Sequence, residues 1–194
     1  YDLTFTPQKS VSVLWALADK ETAARILEIH HRAIADTLGW LEREAAFTRT
    51  DSGRVQLDVG GLIVAQFDHW DTRSGDPNLH THCAVSNKVR RLDGTWGSLD
   101  GASIFRHAVA ASERYNAAMI SMLTDELGVA FTPRETSVNA QPVMEIAGIT
   151  DDLIATFSSR RTDIEARRDV LIADWRAKHG RSPSKETEYK LLQQ

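Results

Sequence analysis

What the chain lacks narrows it first. Its 194 residues include one cysteine, Cys83, which excludes an internal disulfide framework and suits a cytoplasmic protein. No apolar run approaches the roughly 20 residues of a membrane-spanning helix, and nothing resembles a signal peptide, so membrane insertion is not expected. An excess of basic charge is missing too: 23 Lys and Arg stand against 27 Asp and Glu, a formal net charge of −4. A nucleic-acid partner would therefore have to be met by a local basic patch or a metal, not by the field of the whole chain. Internal repeats and low-complexity tracts are absent as well. What remains, 42% hydrophobic and 26% charged residues, is the composition of an ordinary domain that can bury a core.

The ends read as interior sequence. There is no initiator methionine before "YDLTFTPQKSVSVLW", and "SKETEYKLLQQ" reads as a helix in progress, so a segment of a larger protein is expected. Residues 2–6 alternate as a half-buried strand does. After Pro7, "KSVSVLWAL" fits helix or strand. From Asp19 the pattern turns helical, with Ala23, Ile26, Leu27, Ile34, Leu38 and Leu41 on one face, to about Ala46 despite Gly39. Strand-like runs follow, broken by turn chemistry at Asp51-Ser52-Gly53, at "DTRSGDPN" and at Asp93-Gly94. A long amphipathic helix is predicted from Ala102 to Leu127 with Gly128 as its C-terminal cap. "EIAGITDDLIATFSSRRTDIEARRDVLIADWRAKHG" is predicted to be further helix, and Ser182-Pro183-Ser184 introduces the last one. This order predicts an α+β fold: a mainly antiparallel, palm-like sheet with helices on one face and a helical C-terminal extension.

Three of the seven histidines, His69, His80 and His82, fall within fourteen positions around one turn. Side chains alternate along a strand, so His80 and His82 project to one side while Thr81 and Cys83 project to the other. If "LIVAQFDHW" and "LHTHCAVSN" are antiparallel neighbours, His69 reaches them only when it sits opposite His80 or His82, because pairing with Thr81 would turn it to the wrong face. A lone His-x-His pair on a strand is more often solvated than metal-bound; a third histidine across the hairpin shifts that balance. Three neutral imidazoles leave open positions on a metal, which suits Lewis-acid chemistry on a carbonyl or phosphoryl oxygen. The other histidines, His30, His31, His107 and His179, sit in helical patterns and read as structural or surface residues.

"FDHWDTRSGDPNLHTHCAVSNKV" resembles the metal-binding motif of conjugative relaxases of the TrwC/TraI (MobF) type, a branch of the His-hydrophobic-His endonucleases. "YDLTFTPQKSVSVLWAL", "DGTWGSLDG", "RYNAAMISMLTDELGVAF" and "IAGITDDLIATFSSRRTDIEA" resemble further segments of that family, in family order. The resemblance implies a relaxase domain of a conjugative DNA-transfer protein. Such enzymes bind origin-of-transfer DNA, folded and single-stranded, and nick one strand by transesterification to a tyrosine. It implies a divalent metal ion (Mg, Mn or Zn) on His69, His80 and His82, and Asp2 as the acid that orients a ligand histidine or assists proton transfer. Plasmid DNA, a downstream helicase or other domain and the conjugation machinery are the implied partners.

The family's nucleophilic tyrosines lie upstream of the "DLTF" strand, so Tyr1, Tyr115 and Tyr189 are not expected to attack. The chain by itself is expected to bind a divalent ion without nicking. Lys9, Arg73, Lys88 and Arg90 are the candidate DNA contacts, with Ser10 and Arg91 beside them. Residues 1–148 are expected to form the catalytic core and 149–194 a helical extension toward further domains. Two other readings remain at this point: a degenerate relaxase fold that binds DNA without catalysis, and an unrelated three-histidine hydrolase.

Overall fold

A computed structural model describes residues 1–135 and 141–192, leaving Gln193 and Gln194 of the last predicted helix outside the described residues. The chain divides into two units, one of Tyr1–Trp70 with Pro77–Thr150 and one of Asp71–Asp76 with Asp151–Gln194.

In the first unit strand β1 (Asp2–Phe5) leads to helices α1 (Lys9–Leu17) and α2 (Lys20–Ala45). "KSVSVLWAL", whose periodicity leaves helix and strand open, is helix because its polar side chains find fixed partners. Ser10 Oγ accepts from the Ile146 N–H at 2.8 Å, Ser12 Oγ accepts from the Leu79 N–H at 3.2 Å, and the Ser10 N–H donates to Glu145 Oε2 at 2.9 Å. Helix α2 starts where Asp19 Oδ1 accepts from the N–H groups of Glu21 and Thr22, supplying the first-turn donors with the acceptor they otherwise lack. Gly39 lies inside it without breaking it.

The strands β2 (Phe47–Thr50) and β3 (Val55–Asp58) pair around the Asp51–Gly53 turn, and β4 (Val64–Asp71), β5 (Pro77–Val85), β6 (Lys88–Arg90) and β7 (Trp96–Ser98) follow. The main sheet has the order β1-β5-β4, and β2–β3 and β6–β7 form two-stranded ribbons. Strand β1 runs antiparallel to β5 with Asp2 opposite Ala84, Leu3 opposite Cys83, Thr4 opposite His82 and Phe5 opposite Thr81. That register divides the sheet. Phe5, Leu79, Thr81, Cys83 and Val85 are buried under the helices, and Asp2, Thr4, His80 and His82 share the other face by alternation.

Helix α3 (Gly101–Leu127) ends at Gly128 in the left-handed conformation, as its cap position predicts. It packs on α2, and Ile26, Ile29, Ala33, Ile34 and Leu41 meet Tyr115, Met119 and Leu123 in one core cluster. Each such aliphatic side chain contributes about 1.5–3 kcal/mol by leaving water. At the start of α3, a side chain on Gly101 would overlap the Tyr1 ring. On β4, Trp70 stacks on Trp15 of α1 with centroids 5.5 Å apart and planes 14° apart.

One stretch departs from its sequence reading. Glu145 and Ile146 belong to strand β9 (Val143–Ile146), antiparallel to β8 (Phe131–Arg134), and helix resumes only at Asp151. The bonds to Ser10 hold these residues extended. In the second unit α4 (Asp151–Thr156), α5 (Ser159–His179) and α6 (Lys185–Leu192) follow one another. Asp76 caps α5 there, accepting from Ser159 Oγ at 2.7 Å and from the Arg160 N–H at 3.2 Å. No helix among the described residues is long and apolar enough to cross a membrane.

Candidate metal centre

Strand alternation dictates that His80 and His82 share a face, and β4, next to β5 in the sheet, brings in His69. The three rings form a nearly equilateral cluster, with centroids 5.1 Å (His69–His80), 5.0 Å (His69–His82) and 5.3 Å (His80–His82) apart. One nitrogen from each ring lies within 4.8 Å of the others. Nitrogens bonded to one ion at about 2.1 Å stand at most about 4.2 Å apart, a gap that small ring rotations close.

The second nitrogens are committed. His82 Nδ1 meets Asp2 Oδ2 at 2.8 Å, with Thr4 Oγ1 at 3.3 Å. His80 Nδ1 donates to the Asn78 carbonyl at 2.7 Å. In both rings this leaves Nε2 as the nitrogen available to a metal, since a carboxylate or carbonyl on the far nitrogen sets the tautomer and the ring orientation. Among the described residues the His69 ring makes no hydrogen bond; it packs against the other two rings, and it is the exposed member of the three. The donor set therefore fits a divalent ion with coordination positions left open. Asp2, chosen from the motif, is where a partner of His82 is needed. Asn78 and Thr4 were missed, although Thr4 lies two residues from Asp2 and by alternation shares its face.

Behind the rings lies a polar chain that runs from buried Tyr115, His30 and Thr81 to half-buried Asp68 and His31. Tyr115 Oη donates to His30 Nδ1 at 2.6 Å, His30 Nε2 reaches Thr81 Oγ1 at 2.8 Å, and Thr81 Oγ1 donates to Asp68 Oδ1 at 2.6 Å. His31 Nε2 meets the same carboxylate at 2.9 Å. Burial, assisted by His31, pushes the His30 imidazole down to about 4, so it is neutral. Burial opposes ionisation of Asp68, yet the hydrogen bonds from Thr81 and His31 hold its carboxyl below the usual range. The signal was available: Thr81 is a polar residue at a core-facing parity, and His30 interrupts an apolar helix stripe.

The basic candidates divide. Lys9 Nζ donates to the Pro77 carbonyl at 2.6 Å, and Ser10 is wholly buried, so Ser10 offers nothing to a phosphate. Arg73 is exposed in the turn that belongs to the second unit. Lys88 and Arg90 are exposed on β6, and Arg90 pairs across the ribbon with Trp96, a large aromatic left 59% exposed. Sequence reading passed over Trp96. Of the three tyrosines, Tyr115 is engaged in the core, Tyr1 packs edge-on against Phe105, and Tyr189 is exposed on α6.

Comparison with known proteins agrees with this geometry. The chain is 35% identical over 106 residues to the multifunctional conjugation protein TraI of Escherichia coli, a match covering 54% of this chain and 6% of TraI. The TraI of strain K12 is 34% identical over the same length. Among solved structures, conjugative relaxase TrwC in complex with oriT DNA, metal-bound, superposes with a TM-score of 0.73 at 31% identity, covering 98% of this chain and 62% of that one. A copper-bound form of that complex gives 0.73 at 32% identity, with 61% of its chain covered. TrwC with a 27-mer comprising the recognition hairpin and the cleavage site gives 0.73 at 31%, with 64% covered. The chain thus spans less than two thirds of these relatives. The TrwC relaxase family model matches residues 1–194, and the chain belongs to that family.

Proposed function

We propose that this chain is the metal-binding part of a relaxase that nicks origin-of-transfer DNA, with His69, His80 and His82 holding a divalent cation against the scissile phosphate. The observation that carries the reading is the convergence of three imidazoles whose far nitrogens, in His80 and His82, are already occupied. A cation bound there supplies Lewis-acid polarisation of the phosphodiester and offsets its developing charge. Asp2 fixes the His82 ring, and Asn78 fixes His80. Imidazole donors favour manganese or zinc over magnesium, which prefers oxygen.

In the reaction a tyrosine oxygen bonds to phosphorus, the bond to the 3′ oxygen breaks, and a 5′-phosphotyrosine and a free 3′-OH result. The link keeps the phosphodiester's energy, so the strand is rejoined by reversal. That tyrosine is assigned to the segment upstream of "DLTF" that the family resemblance implies. The burial of Tyr115 and the packing of Tyr1 on Phe105 support this assignment.

DNA with a recognition hairpin and a cleavage site, as named for TrwC, is the proposed substrate, its cleavage site lying in a single-stranded tail. Lys88 and Arg90 would meet its phosphates, and Trp96 on the same ribbon face would stack a base. Arg73 is a further phosphate contact in the second unit, and Lys9 supports the start of β5. Residues 1–148 are proposed as the catalytic core and 149–194 as an extension toward a helicase or other domain, acting in the cytoplasm with the conjugation machinery.

Calorimetric titration with manganese, paired with anisotropy of a fluorescent hairpin oligonucleotide carrying a 3′ tail, tests the reading. Manganese binds the wild-type chain and tightens its hold on the oligonucleotide, and both effects vanish in His80→Ala. Equal manganese affinity in that variant would refute the ligand assignment.

A further inference from the structure

We propose that the chain Tyr115–His30–Thr81–Asp68–His31 is the positioning device of the metal centre, setting His69 against His80 and His82 from the back of the sheet. The proposal rests on the three-imidazole reading above and names residues outside the three-ring cluster.

Placement is the first argument. Asp68 directly precedes His69, and Thr81 lies between His80 and His82, so alternation puts the Thr81–Asp68 bond on one face and the rings on the other. The two strands that carry all three rings are thus tied side chain to side chain immediately behind them. Strand β4 is an edge of the β1-β5-β4 sheet, and among the described residues it has no second strand to fix it. A slip of one residue against β5 would turn His69 away from its partners. Thr81 Oγ1 to Asp68 Oδ1, at 2.6 Å, is the bond that such a slip must break.

Direction is the second argument. A carboxylate only accepts, so Thr81 must give its proton to Asp68 and take a proton from His30 Nε2. The other nitrogen of His30 is then the acceptor that Tyr115 Oη satisfies at 2.6 Å. Every proton in the chain points toward Asp68, each link leaves the next one single choice, and the arrangement has one low-energy state. Consecutive residues of α2 supply two arms, His30 to Thr81 and His31 to Asp68 at 2.9 Å. Hydrophobic contact would let helices and strands slide; these bonds register α2 and α3 on β4 and β5.

The mechanics predict which variants matter. Thr81→Val keeps the shape and removes the hydroxyl that ties β5 to Asp68 of β4 side chain to side chain, whereas Thr81→Ser keeps it. Manganese affinity by calorimetry and the visible absorption of bound cobalt(II) read the site without any turnover. Thr81→Val is expected to bind manganese at least tenfold more weakly and to change the cobalt band. Thr81→Ser is expected to stay within about twofold of wild type with an unchanged band. Asp68→Asn carries the expectation of Thr81→Val should that variant fail to fold. If Thr81→Val or Asp68→Asn lowers the melting temperature yet keeps wild-type manganese affinity and cobalt band, the role is structural only and the proposal is overturned. His80→Ala runs alongside. Wild-type affinity in that control would remove the metal centre itself and the proposal with it, an outcome distinct from a failed Thr81→Val.

Discussion

Two histidines on either side of one strand show how neighbours decide what a residue does. His80 is half-buried, with one nitrogen on a backbone carbonyl and the other turned toward two more rings. His30 is wholly buried, and both of its nitrogens are taken by hydroxyl groups. Because burial holds His30 near 4 when folded against about 6.5 unfolded, the unfolded chain takes up a proton first as pH falls. The contribution of His30 is fully present above about 6.5 and is lost as pH drops toward about 4. Between pH 7.5 and 5 this amounts to about 2 kcal/mol. Urea midpoints at the two pH values check it, and His30→Gln should flatten the difference even though it lowers overall stability. At the metal face, Asp2→Ala leaves His82 Nδ1 without its carboxylate. A loss of about tenfold or more in manganese affinity is expected by calorimetry, well short of the loss in His80→Ala.

Elements differ in how far local sequence decides them. Helix α3 is legible end to end: Ile104, Ala111, Tyr115, Met119 and Leu123 recur on its buried face, and Gly128 takes the left-handed conformation that L side chains resist. Gly128→Ala should therefore cost about 1 kcal/mol, seen as a lower melting temperature with no change in manganese affinity. Strand β9 is the opposite case. "EIAGITDD" reads toward helix, and pairing with β8 together with the bonds between distant Ser10 and Glu145 and Ile146 makes its first two residues extended. The same non-local settlement makes α1 a helix where its pattern was ambiguous. Periodicity carries an element when its partner is any apolar surface. It does not when the partner is one named hydroxyl 136 residues away.

At the scale of the molecule, the net charge of −4 means that DNA must be gripped through few contacts. Anisotropy across a salt series should then show a shallow slope, and Arg90→Ala should reduce it by about one unit. Trp96→Ala should weaken binding at all salt concentrations alike, because stacking releases no counterions. The three rings were legible because strand parity and a hairpin are simple geometry, and Asp2 because it stands in a motif. The polar chain behind them was not, since it joins five residues from α2, α3, β4 and β5 that no spacing rule connects.

The paired indoles of Trp15 and Trp70 bear on how occupancy could be followed. Trp70 is bonded through the backbone to His69, so a paramagnetic ion held by the rings would drain the excited state of a fluorophore one residue along the strand. Addition of copper(II) should dim the protein's own emission in proportion to sites filled, and Trp70→Phe should remove most of that response. The domain would then report its own cation in a cuvette, with no dye and no DNA.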